Sequence, residues 1–191
     1  DELIFNESNL LKKAIISKHA YRKKVFSGFD KNLLTVGSKL TYKTGWKIQP
    51  VSEVCLIENN LRKPINKEDR QAIEGTFPYY GPTSILSYIS EFRVDGEYTL
   101  LGEDGDHFLK YSDWHMTQWA TGKFNVNNHA HLIRGGEQCL TKWIYYSFQH
   151  RNIIPHLTKQ GATRYKLNKE SLMDIKIMIP PLSEQQKLID N

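Results

Sequence analysis

The chain has 191 residues, 39% of them hydrophobic and 12% aromatic, which suits one sheet-containing domain with or without an appendage. No apolar run approaches the roughly 18 residues of a membrane span, and the first residues lack the basic start and apolar centre of a signal peptide. The two cysteines, Cys55 and Cys139, do not suggest a disulfide scaffold or a zinc site. They predict free buried thiols in a reducing cytoplasm.

The net charge of +5 is a modest indication of a polyanionic partner. Its distribution is more informative, because residues 1–50 carry a balance of +6, residues 51–110 a balance of −5 and residues 111–191 a balance of +4. A phosphate-binding surface would therefore draw on the first and last thirds of the chain.

The first element along the chain is a predicted helix from Ser8 to about Phe26. Apolar residues recur there at three- and four-residue spacing between lysines and arginines, and Ser8 is a suitable N-cap. One apolar stripe on a helix of this length predicts a partner helix in this chain or another, as in a coiled coil. The residues predicted to form that interface are Leu11, Ile15, Tyr21 and Val25.

The middle of the chain predicts short strands separated by turns rich in glycine, proline and asparagine. Strand candidates are Ile89–Phe92, Tyr98–Leu101 and Ala130–Ile133. Residues 140–150 predict a helix capped by Thr141, and a short helix is expected after Asn168. Residues 174–179 alternate like a strand that Pro180 and Pro181 end.

A last helix is predicted to open at Ser183, with Gln186 at the capping-box position. The fold class expected is α+β, with a mixed sheet between a long first helix and the start of a second. The predicted divisions are a helix over 1–28, a linker over 29–45, a globular domain over 46–181 and the start of a helix over 182–191.

Adjacent tyrosines stand in residues 75–86, GTFPYYGPTSIL, where Pro78 and Pro82 restrict the backbone and Gly81 permits a tight bend. If this segment is extended, Tyr79 and Tyr80 point to opposite faces, so that one is buried and the other is free for a ligand. A rigid structural turn and a ligand-contacting loop both fit the segment, and the turn is the favoured interpretation.

Two segments raise the question of a metal. Residues 97–107, EYTLLGEDGDH, end in an acidic loop whose spacing does not fit a calcium loop, which favours a solvated turn. His129 and His131 would share a face of a strand, but a metal site needs a third ligand that the sequence does not supply. Beside them, Asn127 and Asn128 could present amides to bases, since asparagine pairs well with adenine. A structural turn is the alternative there.

Residues 158–166, TKQGATRYK, are the best local candidate for nucleic-acid binding. Lys159 and Arg164 suit phosphates, while Gln160 and Thr163 suit base edges or sugars. A merely solvated loop is the alternative. No phosphate-binding glycine loop, nucleophile elbow or nuclease carboxylate motif is present, which lowers the odds of an enzyme.

In order along the chain, these segments resemble the DNA-specificity subunit family of type I restriction-modification systems. The resemblance rests on GTFPYYGPTSIL, on the Gly-Glu-Asp loop in SEFRVDGEYTLLGEDG, on ATGKFNVNNHAHLIR and on the closing IPPLSEQQKLI. The first helix, LLKKAIISKHAYRKKVFSG, is similar to the end of the family's conserved helix.

The resemblance implies a non-catalytic, cytoplasmic prokaryotic protein that recognises double-stranded DNA. Methyltransferase subunits and a restriction subunit would be its partners, and S-adenosylmethionine, ATP and Mg²⁺ would belong to those partners rather than to this chain. Because one recognition domain is present, the chain would be part of a longer subunit or would pair with a second copy of itself.

The residues predicted to contact DNA are Tyr79, Tyr80, Asn127, Asn128, Lys159, Gln160, Thr163 and Arg164. Alternatively, the family-like segments build the scaffold, and the DNA-reading residues lie in stretches such as 58–70 or 110–120. The candidates in the former are Arg62, Lys63, Lys67 and Arg70. A metal-dependent nucleic-acid hydrolase and a protein-only assembly module are the competing functions.

Overall fold

A computed structural model describes residue 20 and the ranges 45–160 and 164–190. The strands are β1 (Lys47–Pro50), β2 (Cys55–Ile57), β3 (Glu74–Tyr80), β4 (Ile85–Ile89), β5 (Val94–Gly102), β6 (Thr117–Val126), β7 (Ala130–Gly135), β8 (Thr158–Gln160), β9 (Arg164–Lys166) and β10 (Lys176–Ile179). The helices are α1 (Val51–Val54), α2 (Lys67–Ala72), α3 (Thr141–Phe148), α4 (Lys169–Asp174) and α5 (Leu182–Asp190). Short 3-10 turns span Asn59–Leu61, His107–Lys110 and Ile154–His156.

A six-stranded sheet in the order β2-β7-β5-β6-β3-β4 forms the body of the domain. Its longest pairing joins β5 and β6 antiparallel from Val94–Phe124 to Leu101–Thr117. The β3–β6 pairing is parallel, which makes the sheet mixed. β8 pairs with β9, and β1 pairs with β10, in two separate two-stranded sheets. The predicted α+β class with a mixed sheet is therefore confirmed.

Helix α3 covers the sheet and supplies much of the larger apolar core. Trp143 and Phe148 are fully buried in that core, and the Trp143 indole donates a hydrogen bond of 2.9 Å to the carbonyl of Met178. Burying a side chain of this size stabilises the fold by roughly 1.5–3 kcal/mol. Through this hydrogen bond, Trp143 also attaches helix α3 to strand β10.

Gln185 attaches helix α5 to the domain. Its side chain is completely buried, and its Oε1 accepts a hydrogen bond of 2.9 Å from the Leu140 amide. Its Nε2 donates to the carbonyls of Gln138 and Pro180 at 2.8 Å each. One side-chain amide thus pairs with three backbone groups, two in partly buried contacts and one, at Pro180, in a buried contact.

Both cysteines are free and buried, as predicted. A hydrogen bond with Cys55, together with burial, raises the pKa of the Cys139 thiol. No helix in the described part of the chain is long and apolar enough to cross a membrane.

Segment 75–86 is not the rigid turn that its sequence favours, but consists of β3, a tight turn and β4. The turn is closed by a hydrogen bond of 2.8 Å from the Gly81 amide to the Ser84 carbonyl. Gly75 marks close packing within the sheet, because a Cβ there would lie 2.4 Å from the backbone of Ser90. The predicted strand Ile89–Phe92 is also misplaced, since β4 ends at Ile89.

Strand β6 is absent from the sequence-based prediction. Only its central residues 121–123 are exposed, while Thr117 at its start and its last three residues are buried, so its sequence, TQWATGKFNV, lacks a continuous alternation. Gly122 adopts a φ of +70° in the middle of the strand, which gives the segment the appearance of a turn. The strands predicted at Tyr98–Leu101 and Ala130–Ile133 lie within β5 and β7.

The helix termini differ in detail from their predictions. Asn168 caps α4 as expected, accepting a hydrogen bond of 2.7 Å from the Ser171 amide. Thr141 does not cap α3, because Leu140 holds that position and the Thr141 hydroxyl accepts from the Gly135 amide instead. Helix α5 begins at Leu182 rather than at Ser183. Gln186 bonds Asp190, so it forms no capping box.

The predicted helix over 8–26, with Leu11, Ile15, Tyr21 and Val25, lies outside the described residues except for helical Ala20. Most of the predicted linker lies outside them too. Trp46, where the domain is predicted to begin, donates a hydrogen bond of 2.7 Å to the Glu184 carboxylate.

We expect Gln185→Ala to lower the free energy of unfolding by about 2–4 kcal/mol, because three backbone groups in partly or fully buried contacts lose this partner. Gln186→Ala, at an exposed neighbour, should change it by less than about 0.5 kcal/mol. Urea unfolding of the two purified variants measures the difference. Equal midpoints would show that the Gln185 contacts contribute nothing.

Candidate nucleic-acid interface

The loop that follows β5 brings three segments of the chain together through Glu103. Its carboxylate accepts hydrogen bonds from Arg62 Nη1 at 2.5 Å and from Lys166 Nζ at 3.1 Å. Its backbone amide donates to the His129 carbonyl at 2.8 Å, and its carbonyl accepts from the Leu167 amide at 2.7 Å. The segment near Arg62, the turn at His129 and the strand β9 are thereby fixed around one residue.

Glu103 is charged in this position. Burial alone would raise its pKa, but hydrogen bonds from Arg62 and Lys166 and the charges around it hold the pKa below its ordinary value. The predicted solvated turn is therefore wrong for Glu103, whose residue is only 9% exposed. A buried carboxylate of this kind needs its cations, because a buried charge without a partner is strongly destabilising.

Asp104 holds the hairpin formed by β8 and β9 from the same loop. Its Oδ1 lies 3.4 Å from Arg164 Nη2, and its Oδ2 lies 2.9 Å from His129 Nδ1. The next amide, of Gly105, donates to the Tyr165 carbonyl at 3.0 Å. Residues 158–166, interpreted from sequence as a basic loop, thus include two paired strands attached to the domain by side-chain and backbone bonds.

His131 is a scaffold residue rather than a metal ligand. Asn59 Nδ2 can only donate, so Nδ1 of the fully buried His131 accepts that bond of 2.9 Å. Nε2 then donates to the Leu167 carbonyl at 2.8 Å. Burial lowers the pKa of His131, which keeps the ring neutral. The hypothesis of a metal-dependent hydrolase gains no support, since ranges 45–160 and 164–190 contain no group of three metal-ligating side chains.

A groove of about 770 Å³ runs along this surface. Its walls are formed by segment 63–73, the end of β3, Glu91 and the turn after β6. Side chains on these walls carry charges of both signs. The residues that line it are Lys63, Pro64, Ile65, Asn66, Asp69, Arg70, Ile73, Tyr79, Glu91, Asn127, Asn128 and His129. His129 links this groove to Asp104, and through Asp104 to the β8–β9 hairpin.

Tyr79, predicted to contact DNA, is fully buried in this structure. Its hydroxyl accepts a hydrogen bond of 2.9 Å from the Ile65 amide and donates one of 3.0 Å to the Lys63 carbonyl. Burial raises its pKa. The role of Tyr79 is therefore to hold the groove wall at 63–65, and the single proton of its hydroxyl is already donated to the Lys63 carbonyl.

Tyr80 is partly buried and packs edge-on against Phe124 at 5.6 Å between ring centroids. Burial raises the Tyr80 pKa as well. Asn127 is 8% exposed and uses its side-chain oxygen to accept from the His129 amide at 2.9 Å. Asn128, by contrast, is exposed and lines the groove. Of these three predicted contact residues, Asn128 presents its amide most openly.

The basic hairpin residues remain candidates for contact with DNA. Lys159 and Arg164 are both exposed, and they lie on paired strands with Lys159 opposite Tyr165. The side chain of Gln160 and the whole of Thr163 lie outside what the structure describes. Arg164 lies beside the Asn127–His129 turn through Asp104, which contacts both Arg164 and His129. Lys159 lies opposite Tyr165, so its side chain points to the other face of the hairpin from that of Arg164.

The alternative segment 58–70 contributes two kinds of cation. Arg62 is held by Glu103, and Arg70 donates to the Ile65 carbonyl at 2.6 Å and to the Ser87 hydroxyl at 2.9 Å. These two arginines are engaged within the protein. Lys67 is exposed, and Lys63, which lines the groove, forms an ion pair with Glu91. Sequence reasoning considers Glu103 only as one acidic residue of a possible metal-binding loop and does not predict its ion pairs, although a glycine-flanked acidic pair directly after a strand is a signal for it.

We expect Glu103→Gln to lower the free energy of unfolding at neutral pH by about 2–4 kcal/mol, since Arg62 and Lys166 would lose their charged partner. Because the folded pKa of Glu103 is depressed, its contribution is present above the unfolded pKa of about 4.3. It is lost as the pH falls through the folded value. Urea unfolding at decreasing pH should therefore show the variant and the native protein converging. A difference in the free energy of unfolding that stays constant with pH would contradict this. Glu97→Gln, at an exposed site, is the control.

Tyr79→Phe should cost about 1–2 kcal/mol of stability, because the buried Ile65 amide and Lys63 carbonyl lose their shared partner. Tyr88, which is 51% exposed on β4, provides the matched control. Thermal unfolding of Tyr79→Phe and Tyr88→Phe compares the two hydroxyls. The structural role fails if both variants melt at the temperature of the native protein.

Comparison with known proteins agrees with this arrangement. A family model described as the type I restriction modification DNA specificity domain matches residues 43–190. A putative type I restriction enzyme specificity subunit from Haemophilus influenzae is 38% identical over 159 residues, which make up 83% of this chain and 40% of that protein.

Solved structures share the fold at low sequence identity. The HsdS subunit from Thermoanaerobacter tengcongensis superposes with a TM-score of 0.58 at 15% identity, covering 99% of this chain and 46% of that one. The S subunit of a type I restriction-modification system from M. genitalium gives a TM-score of 0.60 at 14% identity, over 80% of this chain and 39% of that one. The chain thus spans less than half the length of each of these relatives. Since the family model covers most of the sequence, this chain belongs to the family of type I restriction modification DNA specificity domains.

Proposed function

We propose that this chain is a DNA-recognition domain of a type I restriction-modification specificity subunit and reads one half of a split target. The observation that carries the proposal is the attachment of the basic β8–β9 hairpin and the Asn127–His129 turn to one surface by Glu103 and Asp104. Family membership agrees with it.

On this proposal, the cations and the amides of the surface do different work. Lys159, Arg164 and Lys67 face phosphates and supply affinity that falls with salt. Asn128 faces a base edge, where its amide can pair with adenine. Phosphate contacts fix the register of the domain on the duplex, and base contacts supply the sequence preference.

The chain itself catalyses nothing on this proposal. Methyltransferase and restriction subunits carry out modification and cleavage, and they hold the S-adenosylmethionine, ATP and Mg²⁺. A second recognition domain, in the same subunit or in a second copy, reads the other half of the target. With two such domains, the distance between half-sites is set by the segments that connect them.

Selection from a randomised duplex library tests the proposal. The intact native protein, alone and with its methyltransferase subunit, should enrich a discrete short sequence, and the retention should fall with rising salt. A pool that stays random in both mixtures would refute DNA recognition.

Substitutions at the surface should separate phosphate binding from base recognition. Asn128→Ala should relax the preference at one base pair, at a cost of about 1–3 kcal/mol. Lys159→Ala with Arg164→Ala should weaken binding to all sequences and reduce the salt slope by about one for each phosphate that is no longer neutralised. Lys47→Ala, at an exposed lysine of the β1–β10 sheet, should change neither property. Binding isotherms over a salt series measure all three, and an unchanged motif for Asn128→Ala would remove that residue as a reader.

A further inference from the structure

Two cations on the proposed DNA-binding surface are already paired with carboxylates of the same chain. Lys63 forms an ion pair with Glu91, and the two side chains are 43% and 45% exposed. Arg164 pairs with Asp104 at 3.4 Å, with 58% of the arginine side chain exposed. Both cations are accessible to a phosphate, but each would have to leave a carboxylate to bind one.

These two pairs border the same groove. Lys63 and Glu91 both line it. Asp104 bonds His129, which also lines it. A duplex lying along the groove and the hairpin would therefore meet both pairs at once.

The Lys63–Glu91 pair differs from the scaffold contacts around Glu103, whereas in the second pair only the arginine is exposed and the Asp104 side chain is 13% exposed. The side chains of Arg62 and Glu103 are only 19% and 12% exposed, and that pair fixes the loop to the domain. Lys63–Glu91 connects segment 63–73 to the end of β4 without comparable burial. An exposed pair of this type adds little to stability, so a structural role explains Glu91 less well than it explains Glu103.

We infer that Glu91 and Asp104 restrain sequence-independent DNA binding by occupying Lys63 and Arg164. Non-specific binding depends almost wholly on phosphate contacts. Before Lys63 or Arg164 can bind a phosphate, it must leave its carboxylate, so this surface binds random DNA weakly. The carboxylates that have lost their cations then repel the phosphate backbone of the DNA. This inference rests on the proposed function and assigns a specificity role to two acidic residues within it.

The test measures the affinity of the intact native protein for a random-sequence duplex, which needs no knowledge of the target. Glu91→Gln should bind that duplex roughly two- to fivefold more tightly, the factor that corresponds to an exposed ion pair. Asp104→Asn, which keeps an oxygen that can accept from His129, should also bind it more tightly than the native protein. The salt slope should steepen as Lys63 or Arg164 becomes free to take a phosphate.

Glu97→Gln is the matched control, because it makes the same change in net charge. Glu97 is exposed on β5 and is not among the residues that line the groove, so Glu97→Gln should bind like the native protein.

The inference also requires that Glu91 weakens binding to random DNA by pairing with Lys63. In a Lys63→Met background, Glu91→Gln should no longer raise the affinity. The inference is overturned for either carboxylate if its variant binds random DNA no more tightly than Glu97→Gln. It is overturned for Glu91 as well if the gain persists without Lys63.

Failure of the inference and failure of the proposed function give different results. If library selection with the native protein enriches a sequence while Glu91→Gln and Asp104→Asn match the control, only the restraint is wrong. If selection enriches nothing, the proposed function itself is wrong, whatever the affinities of the variants.

Discussion

The carboxylate of Glu103, buried between Arg62 and Lys166, is the contact on which the proposed DNA-binding surface depends. Strands β5 and β9 and the turn after β6 are far apart in sequence, and none of them could fix the position of the others alone. A charge placed in a poorly hydrated site requires its cations, since an unpaired buried carboxylate is costly. The loop that carries Glu103 therefore fixes these segments to one another, and the position of the β8–β9 hairpin depends on that loop.

This junction clarifies the division of labour among the segments that carry the family resemblance. Tyr79, His131 and Gln185 are buried, and their polar atoms form hydrogen bonds with backbone groups of other segments. They build the scaffold. The groups left for a ligand are few and exposed, such as Asn128 and Lys159. Recognition and architecture are thus assigned to different residues that are close neighbours in the sequence.

The sequence predicts the class of fold and most buried elements, because β5, β7, α3 and α4 carry strong local patterns and, in α4, an asparagine cap. Prediction fails where local pattern and tertiary contact disagree. Strand β6 is exposed only in its middle and contains Gly122 at positive φ, so no alternation marks it. The acidic loop looks solvated in the sequence because the cations that bury Glu103 come from residues 41 positions before it and 63 positions after it. Such pairings are set by the fold as a whole and leave no local signal.

The pairing of β1 with β10 has a consequence for where the two ends of the domain lie. Lys47 lies opposite Ile179, and a side chain at Gly45 would touch the Pro181 ring at 3.4 Å. The backbone therefore enters and leaves the domain at neighbouring points, on a two-stranded sheet separate from the six-stranded one. A substitution in the groove or in the hairpin can thus leave this junction unchanged.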